Sequence, residues 1–422
     1  MKELNTDKLV GPILILSAKL GTQSGVGGRR WALFGRRMME QGLEVHIITA
    51  QKELPQEFKG FSNRVHRIES VYPDVLQFGP RNIWGKIQYR LALLYMKFRV
   101  RGTVYDTGAL DVQNLRRLAR NIIRQHNIKT VICTGAPFSY LYTGVLLKQE
   151  FPHLLLLSDF RDRWTNGFHY GIRALHAKRF AAEADREAAV LRSSDVITAA
   201  CPDIIAYLSE RVPANYHLLL NPVSDLLQPL PQVPESMAPK VFTITCAGNI
   251  GKGCEPYFEH FLSNVAQLQQ RLPGQFRFVF IGNGDREMDM LLDQNPMPCI
   301  QKHPYMNQQS LSEFLSVSNA FLLFQRPEMV NSIATKVFDY MKFRKPIIAC
   351  VGPGGLYDLI TENNLGYIMD RNLSAEDFIR DMSRLRDGSL PFNRHFDYTP
   401  FTLDAQVQKI LHVLEAARKK RH

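Results

Sequence analysis

At 422 residues the chain exceeds what one hydrophobic core organises, so two domains are expected, and an apolar content of 45% with 22% charged residues excludes a disordered chain. A formal charge of +12 turns the search for partners toward anions: nucleotide phosphates, nucleic acid or an anionic membrane face. The opening MKELNTDKLV is too polar for a signal peptide, no apolar run approaches the roughly 20 residues that span a bilayer, and the six cysteines lack CxxC spacing, as reduced thiols of a cytoplasmic protein would.

Residues 12–17 form a short apolar run that leads into a loop carrying Gly25, Gly27, Gly28 and Arg29. Trp31, Leu33, Phe34 and Met38 then show helical periodicity up to Gly42, and Glu44–Thr49 reads as a second strand. This β-loop-α-β opening puts the glycines at the carboxyl end of the first strand, where ligands gather in parallel α/β sheets; a tight helix–strand contact is the other use of such glycines. The third glycine of a dinucleotide fingerprint is replaced by Arg30, and the second strand ends Thr49-Ala50-Gln51 without a ribose-binding acid. No GxxxxGK[ST] sequence occurs, which excludes a P-loop.

Between Trp84 and Val104 there is no acid, and residues 84–101 interleave Lys86, Arg90, Lys97, Arg99 and Arg101 with Tyr89, Leu93, Leu94, Tyr95 and Phe98. At 100° per residue Lys86, Arg90, Lys97 and Arg101 share one stripe. The pattern suits a helix lying on an anionic membrane, at its inner face; a packed helix with a solvated basic edge is the alternative.

Residues 111–127 read as a helix, 129–134 as a strand running into Gly135-Ala136-Pro137, 140–150 as a helix and 154–157 as a buried strand. That strand ends in Asp159-Phe160-Arg161-Asp162-Arg163-Trp164. Charged groups crowded behind an apolar strand are costly to bury unless paired, so Asp159, Arg161 and Asp162 are expected either in a functional site or in mutual satisfaction. His169 stays unassigned. After the helix 172–193 and the strand 195–200, a proline-rich stretch gives a linker at 226–240 between an N-terminal domain (1–225) and a C-terminal one (241–398).

The second half repeats the rhythm. A strand at 241–246 precedes Gly248, Asn249, Gly251 and Lys252; a strand at 276–281 precedes Gly282 and Gly284; His303–Tyr305 follow; a strand at 320–324 precedes Asn331 and Ser332. Thr335 then reads as the N-cap of a short helix beginning Lys336-Val337-Phe338-Asp339. Backbone N–H groups and an ammonium at such a start favour a phosphate. Residues 399–422 read as a C-terminal helix that packs back on the N-terminal domain.

Taken in order, Gly27-Gly28-Arg29, Gly135–Ser139, Asp159–Trp164, Asp195–Thr198, Asn221-Pro222, Gly248-Asn249 and Lys336–Tyr340 with Lys345-Pro346-Ile347 resemble the family 4-like glycosyltransferases of the GT-B fold, over about residues 12–415. The resemblance implies two Rossmann-like α/β domains facing across a cleft, and a retaining, metal-independent transferase with no cofactor beyond its nucleotide-diphosphate sugar donor. It implies a saccharide or lipid-linked acceptor and a role in cell-surface polysaccharide or glycoconjugate synthesis. The donor would meet Gly248, Asn249, Lys252, Gly282, Gly284, Tyr305, Asn331, Ser332, Thr335, Lys336 and Asp339; Asp159, Arg161 and Asp162 would face the sugar and acceptor beside the Gly25–Arg29 loop. One departure stands out: the family's two glutamates, with seven residues between them, are here Asn331 and Asp339. A nucleotide-sugar epimerase of the same fold, and a sugar-nucleotide-binding subunit without turnover, are the alternatives. No helix-turn-helix, zinc-finger or RNP-type pattern supports nucleic-acid binding.

Overall fold

A computed structural model describes residues 10–21, 26–167, 170–223, 225–231, 237, 240–251, 253–282, 286–326 and 328–421. Gly25, His169, Lys252 and Gly284, with 232–236 and 238–239 of the expected linker, lie outside the described residues. The chain forms two compact units: one holds the described residues up to Asn221 and those from Leu403 onward, the other runs from Pro222 to Thr402.

In the first unit seven strands occur in the chain order β1 (Ile13–Leu16), β2 (Val45–Thr49), β3 (Val65–Arg67), β4 (Thr130–Gly135), β5 (Leu155–Phe160), β6 (Val196–Ala199) and β7 (Tyr216–Leu218). They pair in parallel in the spatial order β3-β2-β1-β4-β5-β6-β7. Strands β1, β2, β4 and β5 are buried along their whole length, because helices cover both faces of a parallel sheet; that is why they read as unbroken apolar runs instead of alternating ones. One core layer joins Trp31, Phe34 and Met38 of the helix Val26–Glu40 to Ile13, Ile15, Val45 and Ile47 of the sheet.

In the second unit β8 (Phe242–Ala247), β9 (Phe276–Ile281), β10 (Ile300–His303), β11 (Ala320–Phe324), β12 (Ile347–Cys350) and β13 (Gly366–Ile368) form a parallel sheet in the order β10-β9-β8-β11-β12-β13. Phe258, Phe261, Phe278, Phe280 and Phe324 meet edge-on in its core. Both sheets therefore reverse strand order once, between β1 and β4 and between β8 and β11. In doubly wound sheets ligands bind outside the carboxyl ends of the strands at that reversal. All six cysteines are buried, and none of them forms a disulfide.

The chain passes from the first unit to the second at Asn221–Pro222 and back at Thr402–Leu403. Residues 226–231 do not span between domains: Val223 pairs with Thr402, the amides of Gln228 and Leu230 donate to the Ser312 and Ser316 hydroxyls, and all of this lies in the second unit. A proline-rich stretch suppresses regular structure without preventing it from packing. The last helix runs Leu403–Lys419 and belongs to the first unit, where Leu403, Val407, Ile410, Leu411 and Leu414 join the Trp31 core layer.

Candidate functional site

At the carboxyl edge of the first sheet, Arg161 follows β5 and bridges back to the loop after β4. Its Nε donates to the Gly135 carbonyl at 2.7 Å and a terminal nitrogen to the Ala136 carbonyl at 2.6 Å. The guanidinium also lies over Gly27, where a Cβ would come within 2.5 Å of it, so this glycine is required by close approach. Gly28 is buried beside it and Arg29 is half-buried. Asp162 accepts from the Tyr170 hydroxyl at 2.7 Å.

Asp159 does not face an acceptor. Fully buried, it accepts from Arg30 at 3.0 and 3.2 Å, the Trp31 indole at 2.7 Å, Thr134 at 3.1 Å and Thr198 at 2.8 Å. Burial pushes its pKa up, but the Arg30 charge and the hydrogen bonds of Arg30, Trp31 and Thr198 outweigh it and hold the carboxyl below its usual range. Its lone pairs are occupied, so it acts as an internal cross-link between β5, β4, β6 and the Val26–Glu40 helix. Arg30, which the sequence offered only as a failed glycine of a fingerprint, is the buried partner and also donates to the Leu219 carbonyl and Asn221. Trp164 is likewise interior, stacked on Phe138 at 4.9 Å and donating to Glu183.

Beside this edge a cavity of about 1170 Å³ opens at the ends of β1, β2 and β3, lined by Lys19, Gln51, Tyr72, Phe78, Asp111 and Tyr140 among others. At the opposite, amino edge, Glu44, His46 and His126 bring ligand atoms within 4.8 Å of one another, the one such group among the described residues. His46 packs on His126 at 4.0 Å and shares a 3.1 Å hydrogen bond with His66. Burial, then the neighbouring His126, His66 and Arg64, lower its pKa to about 4. The Arg64 charge opposes a second cation beside His46.

The second unit assembles more of its expected residues. The loop after β8 carries Gly248 and Asn249, both exposed, and Lys336 donates to the Asn249 carbonyl at 2.8 Å with its Nζ beside Gly248. Tyr340, stacked on Phe321 at 4.4 Å, reaches the base of the same loop, where its hydroxyl accepts from the Ala247 amide at 2.8 Å. The helix Lys336–Met341 is thus tied to the β8 loop by two side chains one turn apart. From β9, Gly282 donates to the His303 carbonyl at 3.0 Å and packs against the backbone of Tyr305, whose ring is exposed.

Two expectations change here. Thr335 has helical dihedrals (φ −61°, ψ −27°) and makes no side-chain cap, because a capping hydroxyl needs an extended backbone to reach back to the next turn. The amides of Val337 and Phe338 are taken by the Ala334 and Thr335 carbonyls, so the helix start offers fewer N–H groups than expected. Asp339 is buried next to Tyr340 and Lys342, whose titration it influences. Asn331 and Ser332 are half-buried in the loop behind Gln325, whose amide donates to the Met329 and Ser332 carbonyls.

Sequence reasoning passed over Arg326. It lies two residues past the end of β11, on the other side of the strand reversal from the β8 loop, and its stem lies against Gly253, where φ is +89° and a Cβ would come within 2.7 Å of Cδ. Arg371, just beyond β13, hydrogen-bonds Tyr257 near Glu328. The signal was present: a charged residue just after a buried strand, the same signal that marked Asp159–Trp164. The carboxyl edge of this sheet therefore carries Lys336 and Arg326 near the β8–β11 reversal, where cations favour an anion.

Residues 241–387 match the family model described as glycosyl transferases group 1. No curated protein matches the sequence. Among solved structures, a glycosyltransferase from Rickettsia africae is similar with a TM-score of 0.64 at 14% identity, covering 97% of this chain and 99% of that one. A sucrose-phosphate synthase from Thermosynechococcus elongatus gives 0.60 at 14% identity, covering 97% of each chain. The UDP-GlcNAc 2-epimerase of Methanocaldococcus jannaschii gives 0.54 at 9% identity, covering 96% and 99%. At these identities the likeness is one of fold, and that fold is GT-B.

Proposed function

We propose that this chain is a retaining, metal-independent glycosyltransferase that moves a sugar from a nucleoside-diphosphate donor to a saccharide or lipid-linked acceptor in cell-surface polysaccharide or glycoconjugate synthesis. The observation that carries the reading is the coincidence, in the second unit, of the glycosyl transferases group 1 match with two cations at the strand reversal, Lys336 and Arg326.

In transfer the bond from the sugar's anomeric carbon to the diphosphate oxygen breaks, and a bond to an acceptor oxygen forms. Negative charge grows on the departing diphosphate, and a preorganised cation aimed at it lowers the barrier by roughly 3 kcal/mol. Lys336 and Arg326 take this role, with Lys252 as a third candidate. The donor's base and ribose would lie along Gly282 and Tyr305, and Asn331, Ser332 and Asp339 would shape the sugar and ribose end. The large cavity of the first unit supplies the acceptor space, with Arg161 holding the Gly27 and Gly135 loops at its sheet edge.

An epimerase shares the fold. Incubation with a panel of nucleotide sugars separates the two readings: transfer releases the nucleoside diphosphate and adds the sugar mass to an acceptor, whereas epimerisation returns a nucleotide sugar of unchanged mass and altered ring configuration. Tight donor binding with neither outcome under any acceptor would identify a binding subunit.

A further inference from the structure

The helix Ile83–Arg99 turns its larger apolar face to solvent. Gly85 and Met96 are its buried residues, and Met96 packs with Tyr72, Val100 and Val104 in a small cluster with Leu93 alongside. Ile83, Trp84, Ile87, Leu91, Leu94, Tyr95 and Phe98 all lie exposed, Trp84 at 74% and Phe98 at 83%. At 100° per residue these seven fall within one arc opposite the buried face, so the exposure is a continuous stripe and not scattered surface residues. Phe78, on the preceding short helix, is exposed at 64% and extends the patch. The helix is firmly built: the Asn82 side chain caps it through the Gly85 amide at 2.7 Å, and Arg179 donates to the Lys97, Val100 and Gly102 carbonyls at its other end.

The flanks of this stripe select its occupant. Arg90, Lys97 and Lys86 run along one side and Arg99 along the other, and no acidic residue occurs in the helix or up to Val104. A second copy laid against the same face would bring these cations together without a carboxylate to pair them. A bilayer carrying anionic headgroups accepts the apolar stripe at the acyl boundary and pairs the flanking cations at the headgroups. We infer that the first unit docks on an anionic lipid surface through the Ile83–Arg99 helix. No helix among the described residues is long and apolar enough to cross a membrane, so the contact is interfacial. Tyr72, which packs with Met96 of this helix, and Phe78 of the patch also line the 1170 Å³ cavity, so the cavity neighbours the proposed lipid-facing surface.

The test needs no donor and is independent of the transferase reading. The full chain is mixed with phosphatidylcholine vesicles with and without phosphatidylglycerol, and bound protein is separated by flotation. Binding to the phosphatidylglycerol vesicles is expected, weakened by salt, and lowered at least about tenfold in Arg90→Gln/Lys97→Gln, since each cation near an anionic surface contributes of the order of 1 kcal/mol. Leu91→Ser/Phe98→Ser is expected to abolish it with unchanged circular dichroism. Trp84 is the exposed one of three tryptophans, Trp31 and Trp164 being buried, so vesicles should shift tryptophan emission to the blue. Trp84→Leu should keep the flotation and lose the shift. The inference is overturned by absence of binding, by equal binding to neutral vesicles, by variants that bind as the parent does, or by a dimer in sedimentation that the Leu91/Phe98 variant dissolves.

Discussion

Asp159 and His46 are two buried ionisable residues whose surroundings assign them to stability. Replacing Asp159 by Asn leaves the Arg30 guanidinium buried without its carboxylate, a change that costs about 3–5 kcal/mol in comparable pairs. Denaturant unfolding of Asp159→Asn should show that loss in the first unit, while donor binding by folded protein is retained. For His46 the sign follows from a folded pKa of about 4 against 6.5 unfolded. The fold prefers the neutral ring, so its contribution is complete above pH 6.5 and is lost as pH falls toward 4, up to about 3 kcal/mol. Unfolding measured across that window should fall with pH more steeply in the parent than in His46→Gln. The Asp159 cluster was visible in sequence as crowded charge behind an apolar strand, but its purpose was not. Arg30 lies 129 residues away, and only the fold brings the two together.

At the scale of elements, strands with both faces covered were read from their apolar runs almost to the residue, as for Phe276–Ile281 and Ala320–Phe324. Helix ends were less legible, because a cap depends on dihedrals that composition does not determine; Thr335 has the residue type of a cap and the backbone of a helix. The helix it precedes matters through its tether: Lys336 to Asn249 and Tyr340 to Ala247 fix it against the β8 loop. Lys336→Ala and Arg326→Ala are each expected to slow transfer by about 10²-fold through loss of charge stabilisation, with little change in thermal unfolding. A steady-state assay with the donor that the panel identifies checks this, and unchanged turnover in both variants would remove the proposed diphosphate site. Arg326 is not legible as a neighbour of the β8 loop in sequence, because β8 and β11 become adjacent only through the strand order of the folded sheet.

For the whole molecule, the repeated βαβ rhythm makes two α/β units legible, and the last helix, read as packing back on the N-terminal domain, joins the first unit's core layer around Trp31. Seven of its apolar residues, Leu403, Val407, Ile410, Leu411, Val413, Leu414 and Ala417, are buried in that layer. At about 1.5–3 kcal/mol for each fully buried large side chain, their removal is comparable to the whole 5–15 kcal/mol stability of a domain. A chain ending at Thr402 is expected to lose the near-ultraviolet dichroism of Trp31 and to be recovered as aggregate; a soluble truncated chain with that signal intact would show the helix to be an accessory.

The most direct measurement of the central claim is mass spectrometry with anomeric NMR on reactions containing UDP-, GDP- and dTDP-sugars with free and lipid-linked saccharide acceptors. The account predicts consumption of one donor class, release of its nucleoside diphosphate and an acceptor bearing the sugar in the donor's anomeric configuration, all strongly reduced in Lys336→Ala. A donor recovered at unchanged mass with altered ring configuration, or a product of inverted anomeric configuration, would contradict it.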